Sequence, residues 1–344
     1  DVKVVNYKRQ YPNFLFPGKT QYIDNQINKT IGERCLDSIN PLTWFKTARK
    51  LSITNYDLII FRFWSPFFSF PLGLIAFYLR KKTPTTKLIS LIDNIIPHEK
   101  IPFGTFLARY MLKKMHGHLV QSSQTVDELL SILKNPIYEK RFHPIYNTFP
   151  KKIDKNNALN KLGINSKLVI LHFGLIRPYK GLDVLLKAAS YLKKKTNDFH
   201  IIIAGECYAN KGKYINLIEE LDISDLITWH DQYIPDKEVA TYFSAADITV
   251  LPYKTASQSG IINISYNYDL PVIVTCVGGL HEVVQEGKSG FIIERDNPTA
   301  LADILFNQIE KTTLDKMSKF IQYNKHIYSW EKFVNGIEIL YNRL

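Results

Sequence analysis

Apolar and polar positions along this chain follow two rhythms. Short apolar runs ending in glycine or small polar residues predict buried strands, and apolar residues every three or four positions predict helices. The pattern is cleanest from Leu168 to Ile293. A strand, LVILHFG (168–174), leads into a glycine-ended turn, LIRPYKG (175–181), and a helix, LDVLLKAASYL (182–192). The rhythm recurs in HIIIAGE (200–206), DITVLPY (247–253), the small-residue loop TASQSG (255–260), PVIVT (271–275) and GGLHEVVQEGKSGFII (278–293). Strands that each feed a helix predict an open parallel α/β sheet. Ligands bind at the carboxyl ends of such strands, where helix amino termini offer free N–H groups and a positive dipole end to phosphate. With Lys180 and Arg177 in the first turn, the segment reads as a nucleotide-diphosphate site.

The first half alternates less cleanly. Strands are predicted at VKVVNY (2–7), DLIIFRF (57–63), KLISLID (87–93) and GHLVQSS (117–123). Helices are predicted at PLTWFKTARKL (41–51), TFLARYMLKKM (105–115) and TVDELLSIL (125–133). In the last, Thr125 and Glu128 have the spacing of a capping box, and Ser122 and Ser123 read as caps or as ligand contacts. The stretch 58–79 is long and apolar enough to mimic a membrane span. Arg62, Pro66 and Pro71 argue instead for a buried strand, an aromatic loop WSPFFSF and a helix with proline near its start. The polar segment 150–167 reads as containing the linker, with room for a short helix. In the tail, SWEKFVNGIEILYNRL (329–344), apolar residues at Trp330, Phe333, Ile337, Ile339 and Leu340 have helical spacing.

A chain of 344 residues exceeds the usual size of one core and predicts two domains. The net charge of +12 is uneven: residues 1–170 carry 26 Lys+Arg and 11 Asp+Glu (+15), and the remainder 18 and 21 (−3). The basic first half reads as solvated lysine or as attraction to an anionic surface or substrate. Nucleic acid is excluded as the expected partner, because no helix-turn-helix, zinc spacing or RNP-like aromatic motif is present. Cys35, Cys207 and Cys276 are far apart, with no CxxC, so reduced cytoplasmic thiols fit better than a disulfide framework. No DxD pair and no His/Asp cluster with ligand spacing is seen, so no metal and no cofactor are expected.

The run FGLIRPYKGLDVLLKA, then AGE, QYIP (232–235), AADITVLPY (245–253), QSG (258–260) and PVIVTCVGGLHEVV (271–284), resembles the family-four retaining glycosyltransferases. FPGKTQ (16–21), RFWSPF (62–67), DNIIPHE (93–99) and HPIYN (143–147) resemble a bacterial surface-polysaccharide branch of that family. The resemblance implies the GT-B fold: two Rossmann-like domains facing a cleft that holds both substrates. The first domain is expected over 1–163 as the acceptor domain and the second over 164–320 as the nucleotide-sugar donor domain. A final helix within 321–344 is expected to cross back to the first domain. Against the family pattern, the first strand of the N-terminal domain, with its glycine-rich loop and helix, is expected to be missing.

The resemblance also assigns the site. Lys180 is expected to face the diphosphate, aided by Arg177, which stands three residues after Gly174 where the commoner pattern has an arginine directly after the glycine. His98 is expected near the donor sugar or the acceptor, with a structural histidine as the alternative. Gly174, Gly205, Glu206, Tyr233, Ile234, Ser259, Gly260, Ile261 and Glu282 are the expected donor contacts. Glu206 reads equally as a solvated loop residue, Tyr233 and Ile234 also as ordinary packing, and Ser259 or Ser257 also as a helix N-cap. Two glutamates that many members carry fall here on Ala256 and Ile264. The implied function is metal-independent, retaining transfer of a sugar from a nucleotide diphosphate to a glycan or lipid-linked saccharide. The enzyme is expected to be cytoplasmic, with peripheral contact at the inner face of the membrane. Two other classes stay open: a non-catalytic, glycosyltransferase-like subunit that binds a nucleotide or sugar for a partner enzyme, and a sugar-nucleotide epimerase.

Overall fold

The computed structural model describes residues 2–12, 32–96 and 102–344. The chain divides into two compact units, Asp1–Arg141 with Val334–Leu344, and Phe142–Phe333. The division at Arg141/Phe142 lies ahead of the polar segment 150–167.

In the first unit the elements run β1 (Val5–Arg9), β2 (Glu33–Asp37), α1 (Pro41–Ile53), β3 (Leu58–Phe63), α2 (Ser69–Lys82), β4 (Lys87–Ile92), α3 (Gly104–Leu112), β5 (Gly117–Val120), α4 (Ser123–Ile132) and β6 (Tyr138–Lys140). Strands β3-β4-β5-β6 form a parallel sheet in that order, and β1 and β2 form a separate parallel pair. The first strand runs from Val5 to Arg9 rather than over 2–7, because its register is set by β2 and its end is fastened by an Arg9–Asp37 ion pair of 2.7 Å. Helix α1 starts where Asn40 accepts from the Leu42 N–H, and Trp44 Nε1 donates to the Asp37 carbonyl at 2.6 Å. The aromatic stretch divides as expected into β3, a short 3-10 turn at Pro66–Phe68, and α2. Among the described residues no helix is long and apolar enough to cross a membrane. Phe63, Phe68, Leu79, Leu88, Ile92 and Met111 fill this unit's core.

The expected capping box is absent. Helix α4 begins two residues earlier than the pattern suggested, and Ser122 caps it by accepting from the Thr125 N–H at 3.2 Å. Glu128 instead accepts from the Ile96 N–H and from Gln124. The serine wins because it stands one turn closer to the strand, where the chain is still extended.

The second unit runs α5 (Lys155–Leu162), β7 (Leu168–Phe173), α6 (Leu182–Lys193), β8 (Phe199–Ala204), α7 (Lys211–Glu220), β9 (Ile227–His230), α8 (Asp236–Ala245), β10 (Ile248–Leu251), α9 (Gly260–Asn267), β11 (Val272–Thr275), α10 (Leu280–Val283), β12 (Gly290–Ile293), α11 (Pro298–Asn307) and α12 (Lys311–Asn324). The last helix, α13 (Trp330–Asn342), begins here and ends in the first unit. Its Phe333 and Leu340 are buried, but Trp330 and Ile339 are exposed, so the apolar row of the tail packs only in part. The six strands are all parallel, in the order β9-β8-β7-β10-β11-β12. The sheet is covered on both faces. Ile170 on β7 packs with Leu182, Leu185 and Leu186 of α6, while its neighbours Val169 and Leu171 pack with Val239 and Phe243 of α8. Strand order reverses between β7 and β10, and in such a sheet that reversal opens a crevice at the carboxyl ends.

Candidate functional site at the strand reversal of the second unit

The loops at the carboxyl ends of β7, β8, β10 and β11 are joined by main-chain bonds. Ile176 N–H donates to the Glu206 carbonyl and Tyr208 N–H to the Ile176 carbonyl, both at 2.9 Å. Lys254 N–H donates to the Tyr179 carbonyl at 2.7 Å, and Gly279 N–H to the Ser257 carbonyl at 2.9 Å. Thr275 Oγ1 donates to the Tyr253 carbonyl at 2.6 Å. Such close approach needs glycine. A Cβ on Gly181 would stand 1.9 Å from the Pro252 carbonyl oxygen, and one on Gly205 would stand 2.2 Å from the Gly174 oxygen. Both glycines also have positive φ, +70° and +146°.

Lys180 stands within this frame, half-buried, in the 3-10 turn Pro178–Lys180. Its Nζ would be 3.3 Å from a Cβ on Gly174 and is 5.6 Å from the centre of the Tyr253 ring, close enough for a cation–π attraction. Burial, and then repulsion from Arg177, hold its pKa below the ordinary lysine value against an opposing influence from Tyr179. An anion arriving here would favour the charged ammonium.

Ser259 caps α9. Its Oγ accepts from the Ile261 N–H at 3.3 Å and donates to the Tyr253 hydroxyl at 3.5 Å. The Ile261 amide, expected to meet phosphate, is therefore held by the cap. The Ile261 side chain reaches the same spot over Gly174 as Lys180 Nζ. Gly260 lies against Tyr146, which is hydrogen-bonded to His143 at 3.3 Å, so HPIYN packs on the QSG loop. The loop, the lysine turn and Tyr253 thus meet at one place.

The other expected residues spread around it. Arg177 lies 5.4 Å from the centre of the Tyr208 ring, and Glu206 hydrogen-bonds the same tyrosine. Ile234 is buried in the core beside α8, whereas Tyr233 is half-exposed with its hydroxyl 3.4 Å from Asp236. Glu282 stands in the first turn of α10, after the glycine tied to Ser257. His98 lies outside the described residues, as do FPGKTQ and Glu99.

Two residues that the sequence reading passed over complete the site. Tyr253 closes the strand segment DITVLPY and is buried; burial pushes its hydroxyl up to about 12. His172 lies in β7, wholly buried, its Nδ1 3.0 Å from the Val250 carbonyl. Burial above all, then the nearby Lys180 ammonium, lowers its pKa to about 4. The available signal was a titratable residue inside an otherwise apolar strand, two positions before a glycine.

A parallel sheet with a cation and a capped helix start at its strand reversal is the arrangement of a doubly wound α/β protein, in which the ligand crevice lies at that reversal. The chain belongs to the family described as glycosyl transferases group 1, whose profile matches residues 154–327, just over half of its length. A glycosyltransferase of Methanocaldococcus jannaschii, itself uncharacterized, is 27% identical over 286 residues, 80% of this chain and 74% of that protein. The D-inositol 3-phosphate glycosyltransferase of Corynebacterium glutamicum is 30% identical over 180 residues, 51% of this chain but only 43% of its own length. Among solved structures, Anabaena HepE in complex with UDP superposes with a TM-score of 0.72 at 16% identity, over 91% of this chain and 87% of that one. The fold is therefore that of the GT-B glycosyltransferases, with Rossmann-like α/β units.

Proposed function

We propose that this protein is a retaining glycosyltransferase that moves a sugar from a nucleotide diphosphate to a glycan or lipid-linked saccharide without a metal ion. The observation that carries the reading is the Lys180 ammonium over Gly174, against Tyr253 and beside the start of α9. A fixed cation at a helix start, in a site already partly cleared of water, stabilises the charge that develops on a departing diphosphate. The anomeric carbon–oxygen bond to the diphosphate breaks. The acceptor hydroxyl bonds to the same face of that carbon, and its proton passes to the leaving phosphate. The protein's task is to position the reactants and stabilise charge. Anabaena HepE has been solved with UDP and with UDP-glucose, which favours UDP as the first nucleotide to test.

Contact with a membrane surface belongs to the same reading. Phe45 on α1, and Phe70 and Phe77 on α2, are exposed beside Lys46, Arg80 and Lys81, with the Lys81 ammonium 4.5 Å above the Phe77 ring. A second reading, a nucleotide-binding subunit without catalysis, draws on Ala256 and Ile264. Both are buried apolar residues at the positions where many members carry the two glutamates, one of which commonly holds the ribose.

The deciding experiment measures nucleotide release from UDP-, GDP-, ADP- and dTDP-sugars in EDTA, with a range of saccharide acceptors. Release from one donor, cut about 100- to 1,000-fold in kcat by Lys180→Ala, is the expected result. Binding of the nucleotide without any turnover would favour the subunit instead.

A further inference from the structure

Tyr253 follows β10 across Pro252 and packs, 2% exposed, in a cluster with Leu251, Ala256, Ile262 and Leu280. Apolar packing there would take a phenylalanine or a leucine as readily. Two contacts ask for more. The Lys180 ammonium stands over the ring, 5.6 Å from its centre, where the π face attracts a cation; this needs an aromatic residue. The hydroxyl accepts from Ser259 Oγ at 3.5 Å, and the same Oγ accepts from the Ile261 N–H at 3.3 Å; this needs tyrosine. Burial pushes the hydroxyl up to about 12, so it stays a neutral phenol. The surroundings fix the side chain. The Tyr179 ring meets it edge-on at 6.2 Å, Thr275 Oγ1 donates to its carbonyl at 2.6 Å, and the Lys254 N–H donates to the Tyr179 carbonyl at 2.7 Å. One immobile residue therefore touches both devices that attract an anion, the cation of the turn after β7 and the cap of α9.

We infer that Tyr253 is a positioning residue for the anion end of the site: its ring seats the Lys180 ammonium and its hydroxyl holds the Ser259 cap, so that the cation and the start of α9 keep one separation. The choice of a nucleotide diphosphate as the anion rests on the proposed function above; the two contacts do not. Being buried, Tyr253 acts on a ligand through these partners. The hydroxyl acts through Ser259 on the amides that open α9, and the ring acts through Lys180. Both partners serve the phosphates, so a change at Tyr253 reaches the phosphate end of a nucleotide and leaves the nucleoside end unaffected.

Two substitutions take the contacts apart. Tyr253→Phe keeps the ring and removes the hydroxyl, whereas Tyr253→Leu removes both. Calorimetry reads the affinities for UDP and uridine, and hydrogen exchange reads the first turn of α9. The Lys180 pKa is read by NMR of 13C-lysine protein, with Lys180→Arg identifying the signal. In Tyr253→Phe, UDP affinity is expected to fall about fivefold and exchange in the first turn of α9 to quicken, while the Lys180 pKa holds. In Tyr253→Leu, the Lys180 pKa is expected to fall by about half a pH unit and UDP affinity roughly twentyfold, as suits the further loss of a cation–π contact. Uridine affinity should change in neither. In a chain already carrying Ser259→Ala, Tyr253→Phe should lower UDP affinity no further, because the hydroxyl acts through that cap. Unchanged UDP affinity in Tyr253→Phe, an equal fall for uridine, or losses that simply add in the Ser259→Ala chain would overturn the inference. If the wild-type chain binds no UDP, GDP, ADP or dTDP, the nucleotide reading is removed instead. The exchange and pKa measurements, which need no ligand, then decide: unchanged exchange in Tyr253→Phe, or a Lys180 pKa that does not fall in Tyr253→Leu, overturns the positioning role.

Discussion

The two units build the carboxyl ends of their parallel strands by opposite means. In the second unit, main chain holds main chain: Ile176 to Glu206, Lys254 to Tyr179, Gly279 to Ser257, with glycines wherever a Cβ would collide. In the first, side chains do the holding. Arg62 and Gln121 both donate to Asp93 at 2.8 Å, joining the ends of β3, β4 and β5. A backbone frame leaves the half-buried Lys180 ammonium against the Tyr253 ring, where a ligand could meet it. A side-chain frame spends its charges on itself.

Acid should strike both units alike, since among the described residues each has a deeply buried neutral histidine. His118 in the first unit lies beside Ser90, and burial lowers its pKa to about 4, the same value as His172. The unfolded chain binds these protons at ordinary histidine pKa and the folded chain resists them. Stability is therefore full above about pH 6.5 and falls as pH drops toward 4, by about 3 kcal/mol for each histidine. Urea unfolding at a series of pH values measures this. A flat profile between 6.5 and 4 would show that neither histidine is held neutral.

Gly181→Ala should separate the units. It combines positive φ with a Cβ against the Pro252 carbonyl, and a loss of about 3 kcal/mol is expected, confined to the second unit. Hydrogen exchange with mass spectrometry shows which unit loosens. In the first unit, Asp93→Ala removes the shared acceptor of Arg62 and Gln121, with a loss of about 1–2 kcal/mol in urea. The smallest effect is that of Gly163→Ala at the end of α5. Its φ of +68° matches that of Gly181, but nothing lies within 4 Å of the added Cβ. Strain alone then costs about 1 kcal/mol. Equal losses at Gly163 and Gly181 would mean that the stitched loops contribute no rigidity.

Much of the second unit was legible because its signals are local. LVILHFG and HIIIAGE are strands by composition, Gly174 and Gly205 end them, and Ser259 caps α9 as its place before an apolar run suggested. The first unit resisted where a distant partner decided the outcome. The strand at Val5–Arg9 takes its limits from Glu33–Asp37, and Glu128 turns from the expected capping box to Ile96 and Gln124. Within the site, the lysine turn and the QSG loop could be picked out separately. Tyr253 and His172 could not, because a strand pattern records that a residue is buried and not what it faces.

The sequence by itself determined the parallel α/β character of both halves, the glycine turns and the cation in the first of them. These depend on periodicity and backbone permission, which are properties of neighbouring residues. Only the tertiary structure decided the strand order β9-β8-β7-β10-β11-β12, and with it the meeting of Lys180 with Tyr253, seventy-three positions along the chain. Strand order is chosen by how whole layers bury their faces. The chemistry of the site follows from that long-range choice, which no local pattern encodes.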